Sequence, residues 1–191
     1  MAPRTPLLNL PTLLTLLRIA LIPVFVGVFF MSFQGVNVLC TALFGLAALT
    51  DWLDGYLARR LNQTSAFGAF LDPVADKLMV ATALVLLVQA IPTPLMAVAA
   101  AIIIGREIAI SALREWMAQI GSHGRVAVSR VGKFKTTVQM IAVLLLLYRE
   151  PLWVFPTLEL GLGLLVIAAA LTLWSMAHYL MAAWPALRQG A

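Results

Sequence analysis

Six long apolar segments, separated by short links, restrict the folds that are open to this chain. Hydrophobic residues make up 62% of its 191 residues and charged residues only 11%, which is typical of polytopic membrane proteins. A helix needs about 20 consecutive apolar residues to cross a bilayer. The segments cover residues 12–32, 36–60, 67–90, 94–118, 131–149 and 157–183. The sequence therefore predicts an all-α polytopic membrane protein with six transmembrane helices.

Turn-forming residues separate these segments. Pro, Gly, Asn and Ser recur in the links at residues 32–35, 62–65, 92–94, 121–124 and 150–156. A five-helix arrangement would leave one apolar segment on the protein surface, so six helices are the more economical interpretation. Since no linker or low-complexity run divides the chain, we expect a single integral-membrane domain over residues 1–191.

Basic residues concentrate on one side of this predicted topology. That side carries Arg4, Arg59, Arg60, Arg125, Arg130, Lys133, Lys135 and Arg188. The other side carries essentially Arg149 alone. Because cytoplasmic loops are enriched in Lys and Arg, we expect the N- and C-termini to be cytoplasmic. The net charge of +5 then reflects membrane topology, and no nucleic-acid partner is expected.

Four of the eight carboxylates in the chain fall within residues 51–76, in otherwise apolar sequence. They are Asp51, Asp54, Asp72 and Asp76. Ionisable groups at membrane depth are costly and persist mainly where they pair, bind ions or line a polar cavity. No equal number of basic residues lies nearby, which favours a divalent metal site, and oxygen ligands prefer Mg²⁺ or Mn²⁺ over zinc. Two such ions would bridge phosphate oxygens in an in-line displacement.

Helical periodicity places these acids on two faces of a hairpin. At about 100° per residue, one face of the second helix carries Asp51, Asp54, Gly55 and Ala58, and one face of the third carries Gly68, Asp72 and Asp76. The link at residues 62–65 would fold the helices antiparallel, so that the four acids converge. A helix rises about 1.5 Å per residue, which puts Asp54 roughly 9 Å below Arg60. We expect a pocket just below the cytoplasmic surface, open to a water-soluble molecule and to a lipid.

Salt bridges offer a simpler explanation of the same carboxylates. Arg59, Arg60 and Lys77 lie near enough in sequence to pair with acids at helix ends. Such pairs would still leave Asp51 and Asp72 without obvious partners, and unpaired charges are costly in a membrane. We therefore favour the metal site.

The spacing of these residues resembles the motif of the CDP-alcohol phosphatidyltransferase family. That motif reads D-x-x-D-G-x-x-A-R, then eight residues, then G-x-x-x-D-x-x-x-D. The matching positions are Asp51, Asp54, Gly55, Ala58, Arg59, Gly68, Asp72 and Asp76. Three further segments resemble the bacterial branch that uses sn-glycerol 3-phosphate: N-L-P-T-L-L-T-L-L-R at 9–18, R-E-I-A-I-S-A-L-R-E at 106–115 and G-K-F-K-T at 132–136.

The resemblance implies an enzyme that joins CDP-diacylglycerol to sn-glycerol 3-phosphate and releases CMP. It also implies a multi-pass homodimer in the bacterial inner membrane, with its active site facing the cytoplasm. The implied ligands of Mg²⁺ or Mn²⁺ are Asp51, Asp54, Asp72 and Asp76, and Asp76 would also be the catalytic base for the acceptor hydroxyl. The implied CDP-binding residues are Asp51, Asp54, Gly55, Ala58, Arg59 and Gly68.

A second polar cluster suggests where a phosphate-bearing acceptor would bind. Arg106 and Glu107 interrupt the fourth apolar segment, and Lys133 and Lys135 open the fifth. A phosphorylated acceptor needs cationic donors beside the metal site. The candidates for acceptor-phosphate binding are Arg106, Lys133 and Lys135, followed by Arg114 and Arg125. These cations could instead set topology or contact anionic lipid headgroups, and Glu107 could simply pair with a neighbouring arginine.

Two other functions stay open. Related enzymes use serine, inositol phosphate or a second phospholipid such as phosphatidylglycerol as acceptor, although the cationic cluster disfavours neutral serine. A divalent-cation transporter would need acids along a path across the membrane. The four aspartates instead cluster at one end, and the opposite end has only Glu150 and Glu159 near its loop. This asymmetry favours the enzyme.

Overall fold

The structure is a computed structural model and describes residues 9–61, 66–119, 130–151 and 155–189. These residues form six α-helices: α1 (Leu10–Phe29), α2 (Val36–Leu61), α3 (Ala66–Ala90), α4 (Pro94–Gln119), α5 (Arg130–Tyr148) and α6 (Thr157–Gln189). Each helix coincides with one apolar segment. The prediction of an all-helical chain with six long helices is therefore confirmed.

Local sequence explains where several helices begin and end. The Asn9 side chain caps α1 by accepting a hydrogen bond from the amide of Thr12 at 3.2 Å. Pro11 lies in the first turn, where a missing amide hydrogen leaves no helical bond unmade. Gly35 precedes α2 with φ 91°, a conformation that glycine adopts readily. Arg149 follows α5 with φ 59°, and this left-handed residue ends the helix.

Helix α3 is the inner helix of the bundle. It contacts α1, α2, α4 and α5, while α6 packs against α4 and α5. All six helices contribute to one buried apolar core, which includes Phe25, Phe44, Leu84, Met96, Leu146 and Leu165. The core covers the second half of α3, from Met79 to Leu87. The first half of α3, which carries Asp72 and Asp76, therefore lies beyond the core at one end of the bundle.

The outer surface of the bundle is apolar. Large side chains that are more than half exposed include Leu13, Leu49, Phe70, Val98, Ile108 and Trp174. A soluble protein rarely exposes so much contiguous apolar surface. Helices α1, α4 and α6 and residues 36–57 of α2 are each long and apolar enough to cross a bilayer. The chain is thus a membrane protein, and the crossings by α3 and α5 stay predictions.

Gly161 lies where α6 packs closely on α5. A methyl group at this position would lie 2.8 Å from Cγ of Leu146 and 3.3 Å from the carbonyl oxygen of Ala142. We expect Gly161→Ala to lower the free energy of unfolding by about 1–3 kcal/mol, because an overpacked interface must shift. Thermal unfolding in detergent measures the change. Gly163→Ala is the matched control, since its methyl group would meet nothing within 4 Å. Equal melting temperatures for the two variants would contradict the close packing.

Candidate active site

Arg18 of α1 lies at the centre of a carboxylate cluster on α2 and α3. Its side chain is 1% exposed, and Nη1 lies 2.7 Å from Oδ1 of Asp51 and 3.7 Å from Oδ1 of Asp72. Nη2 pairs with Oδ2 of Asp54. The hydroxyl of Thr15 lies 3.4 Å from the same oxygen and 3.1 Å from the carbonyl oxygen of Pro11, either of which can accept its hydrogen. One guanidinium therefore links three helices.

The three aspartates around Arg18 could hold a divalent ion. One carboxylate oxygen from each of Asp51, Asp54 and Asp72 lies within 4.8 Å of the others. Oδ1 of Asp54 and Oδ1 of Asp72 are buried and have no hydrogen-bond donor among the described residues. Buried polar atoms usually have partners, and one guanidinium cannot neutralise three carboxylates. The residues present therefore fit a cation that takes oxygen ligands.

The partners of Asp51 and Asp72 correct one step of the sequence argument. We expected these acids to have no basic partner, and Arg18 reaches both of them. The expectation was wrong because it considered only cations close in sequence, whereas α1 brings Arg18 from outside the hairpin. Arg60 and Lys77 donate to hydroxyl groups of other residues. The argument for a metal survives, since the acids still outnumber their basic partner.

Asp76 faces a cavity beside this cluster. Among the described residues, the group of acids within 4.8 Å of one another does not include Asp76. A cavity of about 900 Å³ lies between α2, α3, α4 and α5, and Asp51 and Asp76 both line it. Most of its other walls are apolar, including Val80, Ile103 and Met140. A space of this size holds a small organic ligand. The cavity thus joins the acidic cluster to an apolar interior, as an amphipathic substrate requires.

A second ionic cluster joins α4 to α5. Oε1 of Glu107 lies 2.6 Å from Nη2 of Arg106 and 4.0 Å from Nζ of Lys135. Both cations are buried, and Nε of Arg106 has no acceptor in the described part of the chain. Glu107 lines the same cavity as Asp76. The structure therefore joins Arg106 and Lys135 through Glu107, which is the member of this cluster that lines the cavity.

The other predicted site residues are only partly described. A methyl group at Gly55 would meet nothing within 4 Å, so space is open next to Asp54. Gly68 is half-buried on α3. Arg125 lies outside the described residues, as do the side chains of Ala58, Arg59, Arg114 and Lys133. The roles assigned to them stay predictions.

The sequence argument gave no role to Arg18. The signal was available, because a lone arginine inside an apolar segment is costly unless it has a partner. Its partners lie 33 to 54 positions away, and no spacing rule connects residues that far apart. Packing of α1 against α2 and α3 was needed to identify them. The role of Glu107 as a shared partner of two cations was likewise visible only after α4 and α5 were placed.

Six helices and a carboxylate cluster of which Asp54 is buried define this chain as a polytopic membrane protein with an acidic site at one end. The family model of the CDP-alcohol phosphatidyltransferases matches residues 8–183. The chain belongs to that family, and the resemblance seen in its aspartate motif is confirmed.

Curated relatives are similar over nearly the whole chain. The chain is 53% identical over 175 residues to the CDP-diacylglycerol–glycerol-3-phosphate 3-phosphatidyltransferase of Salmonella paratyphi A, covering 92% of this chain and 94% of the relative. Identity to the protein of that name from Pectobacterium atrosepticum is 55% over 175 residues, with the same coverage. The Pseudomonas fluorescens protein of that name is 52% identical over 184 residues, covering 95% of this chain and 93% of the relative.

Proposed function

We propose that this chain transfers the phosphatidyl group of CDP-diacylglycerol to sn-glycerol 3-phosphate, forming phosphatidylglycerophosphate and CMP. The observation that carries the proposal is the similarity to three relatives named for this reaction, each aligned over more than nine-tenths of both chains. The site supports it, because an acidic cluster, a cavity and buried cations lie side by side. The enzyme thus belongs to phospholipid biosynthesis.

The donor nucleotide is proposed to bind at the aspartate cluster. Asp51, Asp54 and Asp72 would hold Mg²⁺ or Mn²⁺, two ions in all, with Asp76 as a further ligand. The chemistry supplied by such ions is neutralisation of charge on the phosphate oxygens during in-line displacement. The proposed contacts of CDP are Asp51, Asp54, Gly55, Ala58, Arg59 and Gly68. The open space at Gly55 supports this placement, since a nucleotide could approach the backbone closely there.

Asp76 is proposed to act as the general base. It lies one helical turn beyond Asp72, on the same face of α3, and lines the cavity. Its carboxylate would take the proton of the acceptor hydroxyl. The hydroxyl oxygen then forms a bond to the phosphorus that carries diacylglycerol, and the bond from that phosphorus to the oxygen of CMP breaks. CMP is the leaving group.

The acceptor phosphate is proposed to bind at Arg106 and Lys135. Both cations are buried and share Glu107, which holds them beside the cavity. Hydrogen bonds between charged partners are short and strong, so this cluster favours an acceptor with a phosphate over serine. The further candidates for this contact are Lys133, Arg114 and Arg125. Inositol phosphate would satisfy the same cations, and the names of the relatives favour sn-glycerol 3-phosphate.

We further propose that residues 1–191 form one domain whose six helices all cross the bacterial inner membrane. Helix α3 contacts four other helices, so its charged residues need not face lipid. The distribution of Lys and Arg supports cytoplasmic termini and a cytoplasmic active site. The exposed apolar side chains are compatible with lipid contact and with a homodimer.

An acceptor panel tests the reaction. Purified protein in detergent should release CMP from CDP-diacylglycerol with sn-glycerol 3-phosphate, and far more slowly with serine, inositol phosphate or phosphatidylglycerol.

Chelation should abolish CMP release, and Mg²⁺ or Mn²⁺ should restore it better than zinc, because the ligands are oxygens. Equal rates with serine, or full activity after exhaustive chelation, would contradict the proposal. Divalent-ion flux into proteoliposomes without CMP release would indicate a transporter.

Two substitutions should distinguish the metal ligand Asp72 from the proposed base Asp76. Asp72→Asn should weaken Mn²⁺ binding by more than about 100-fold, since losing a ligand exceeds the effect of losing a residue that only orients one. Asp76→Asn leaves Asp51, Asp54 and Asp72 in place, the three acids whose oxygens lie within 4.8 Å of one another, so it should keep much of the Mn²⁺ affinity and lose about 10²- to 10⁴-fold in turnover. Mn²⁺ binding is measured by electron paramagnetic resonance and turnover by CMP release. Near-normal turnover in Asp76→Asn would remove Asp76 from the base role.

Arg106→Ala and Lys135→Ala should weaken the use of sn-glycerol 3-phosphate more than that of CDP-diacylglycerol. A charge-assisted contact is worth about 1.5–3 kcal/mol, so kcat/KM for the acceptor should fall by roughly tenfold to a few hundredfold. Arg60→Ala is the control, since Arg60 is exposed and donates to the hydroxyl of Tyr56. An equal loss when only CDP-diacylglycerol is limiting would assign these cations to the donor, and no loss would make them topology signals.

A further inference from the structure

Arg18 has a role that neither the aspartate motif nor the acceptor cations account for. It is 1% exposed and contacts three acidic side chains, whereas Arg60 of α2 and Lys77 of α3 each donate to a hydroxyl group. Burying a guanidinium is costly unless several acceptors surround it. Its placement among the aspartates therefore calls for a function of its own.

Arg18 pairs with some oxygens of the carboxylate cluster and leaves others unpaired. The guanidinium takes Oδ1 of Asp51 and Oδ2 of Asp54, one oxygen from each acid. Oδ1 of Asp54 is buried and has no donor among the described residues. A planar guanidinium presents its donors in a rigid fork, so two such bonds fix the directions of both carboxylates. The oxygen that Arg18 leaves unpaired is thus held in a defined position.

We infer that Arg18 is a positioning residue for the divalent cation: it holds one oxygen of Asp51 and one of Asp54 so that the remaining oxygens can bind the ion. This inference rests on the proposed metal site. Groups that hydrogen-bond to metal ligands typically contribute 10- to 100-fold to metal affinity. The hydroxyl of Thr15 lies 3.4 Å from the oxygen of Asp54 that the guanidinium also holds and 3.1 Å from the carbonyl oxygen of Pro11, so it can assist Arg18 when it donates to Asp54.

An alternative role for Arg18 predicts the opposite effect on metal affinity. If Arg18 only neutralised an empty acidic site, it would repel an incoming divalent ion, and its removal would tighten metal binding. The positioning role is favoured, because the guanidinium pairs with one oxygen of Asp54 and leaves the other without a donor among the described residues. Metal affinity measured without substrate separates the two roles.

The experiment measures Mn²⁺ binding by electron paramagnetic resonance in purified, substrate-free protein. Arg18→Lys keeps the charge but loses the fork, and we expect it to bind Mn²⁺ about 10- to 100-fold more weakly than the unchanged protein. Arg18→Met should weaken binding at least as much. Thr15→Val removes the hydroxyl near Oδ2 of Asp54, together with its contact to the carbonyl oxygen of Pro11, without changing charge, and should give a smaller loss in the same direction. Arg60→Ala, which removes an exposed cation near the same end of α2, should bind Mn²⁺ normally.

The outcomes are distinct. Thermal unfolding without metal identifies any variant that fails to fold, and Thr15→Val then carries the test by itself. Mn²⁺ binding that is unchanged or tighter in Arg18→Lys and Arg18→Met would overturn the positioning role, and tighter binding would assign Arg18 as a counter-ion. Binding fully retained in Arg18→Lys but lost in Arg18→Met would show that charge alone matters, which also overturns it. Absence of Mn²⁺ binding in the unchanged protein would overturn the metal site itself.

Discussion

The ion pairs between Arg18 and the aspartates are the contact on which the polar end of this bundle depends. Three carboxylates with oxygens within 4.8 Å of one another repel, and the repulsion is strongest at Asp54, the buried member of the group. Arg18 offsets part of that repulsion and, in doing so, joins α1 to α2 and α3. Because the compensation is incomplete, the cluster keeps an excess of negative charge. The same contact thus holds the helices together and leaves a site that could hold a cation.

Along α3, the residues that pack in the apolar core are separate from the acids that border the cavity. Its second half lies in a core to which every helix contributes, while its first half carries the acids and borders the cavity. Four neighbouring helices contact α3 and leave Asp76 and Lys77 partly buried, whereas the Asp72 side chain is 43% exposed at the end of the bundle. A rigid core close to the site helps to hold catalytic side chains in position, which a site on loops would achieve less well.

The cavity explains how one site could serve a lipid and a water-soluble molecule. Asp51 and Asp76 stand at its acidic side, Glu107 connects it to two buried cations, and apolar side chains form much of the remaining wall. An acidic region that could hold a cation and two buried cations therefore lie on either side of Glu107 and the cavity. Opposite charges at neighbouring positions would orient the acceptor hydroxyl towards the donor phosphorus.

The sequence was sufficient for the six helices, the aspartate motif and the family, because apolar length and residue spacing along one helix are local properties. Local reasoning also placed Asp51 and Asp54 on one face and Asp72 and Asp76 on another. It could not find the partners of Arg18, nor show that Glu107 is shared by Arg106 and Lys135. The contacts of Arg18 and the contact of Glu107 with Lys135 join helices far apart in the chain, and they exist only because the buried core sets how α1, α4 and α5 pack around α2 and α3.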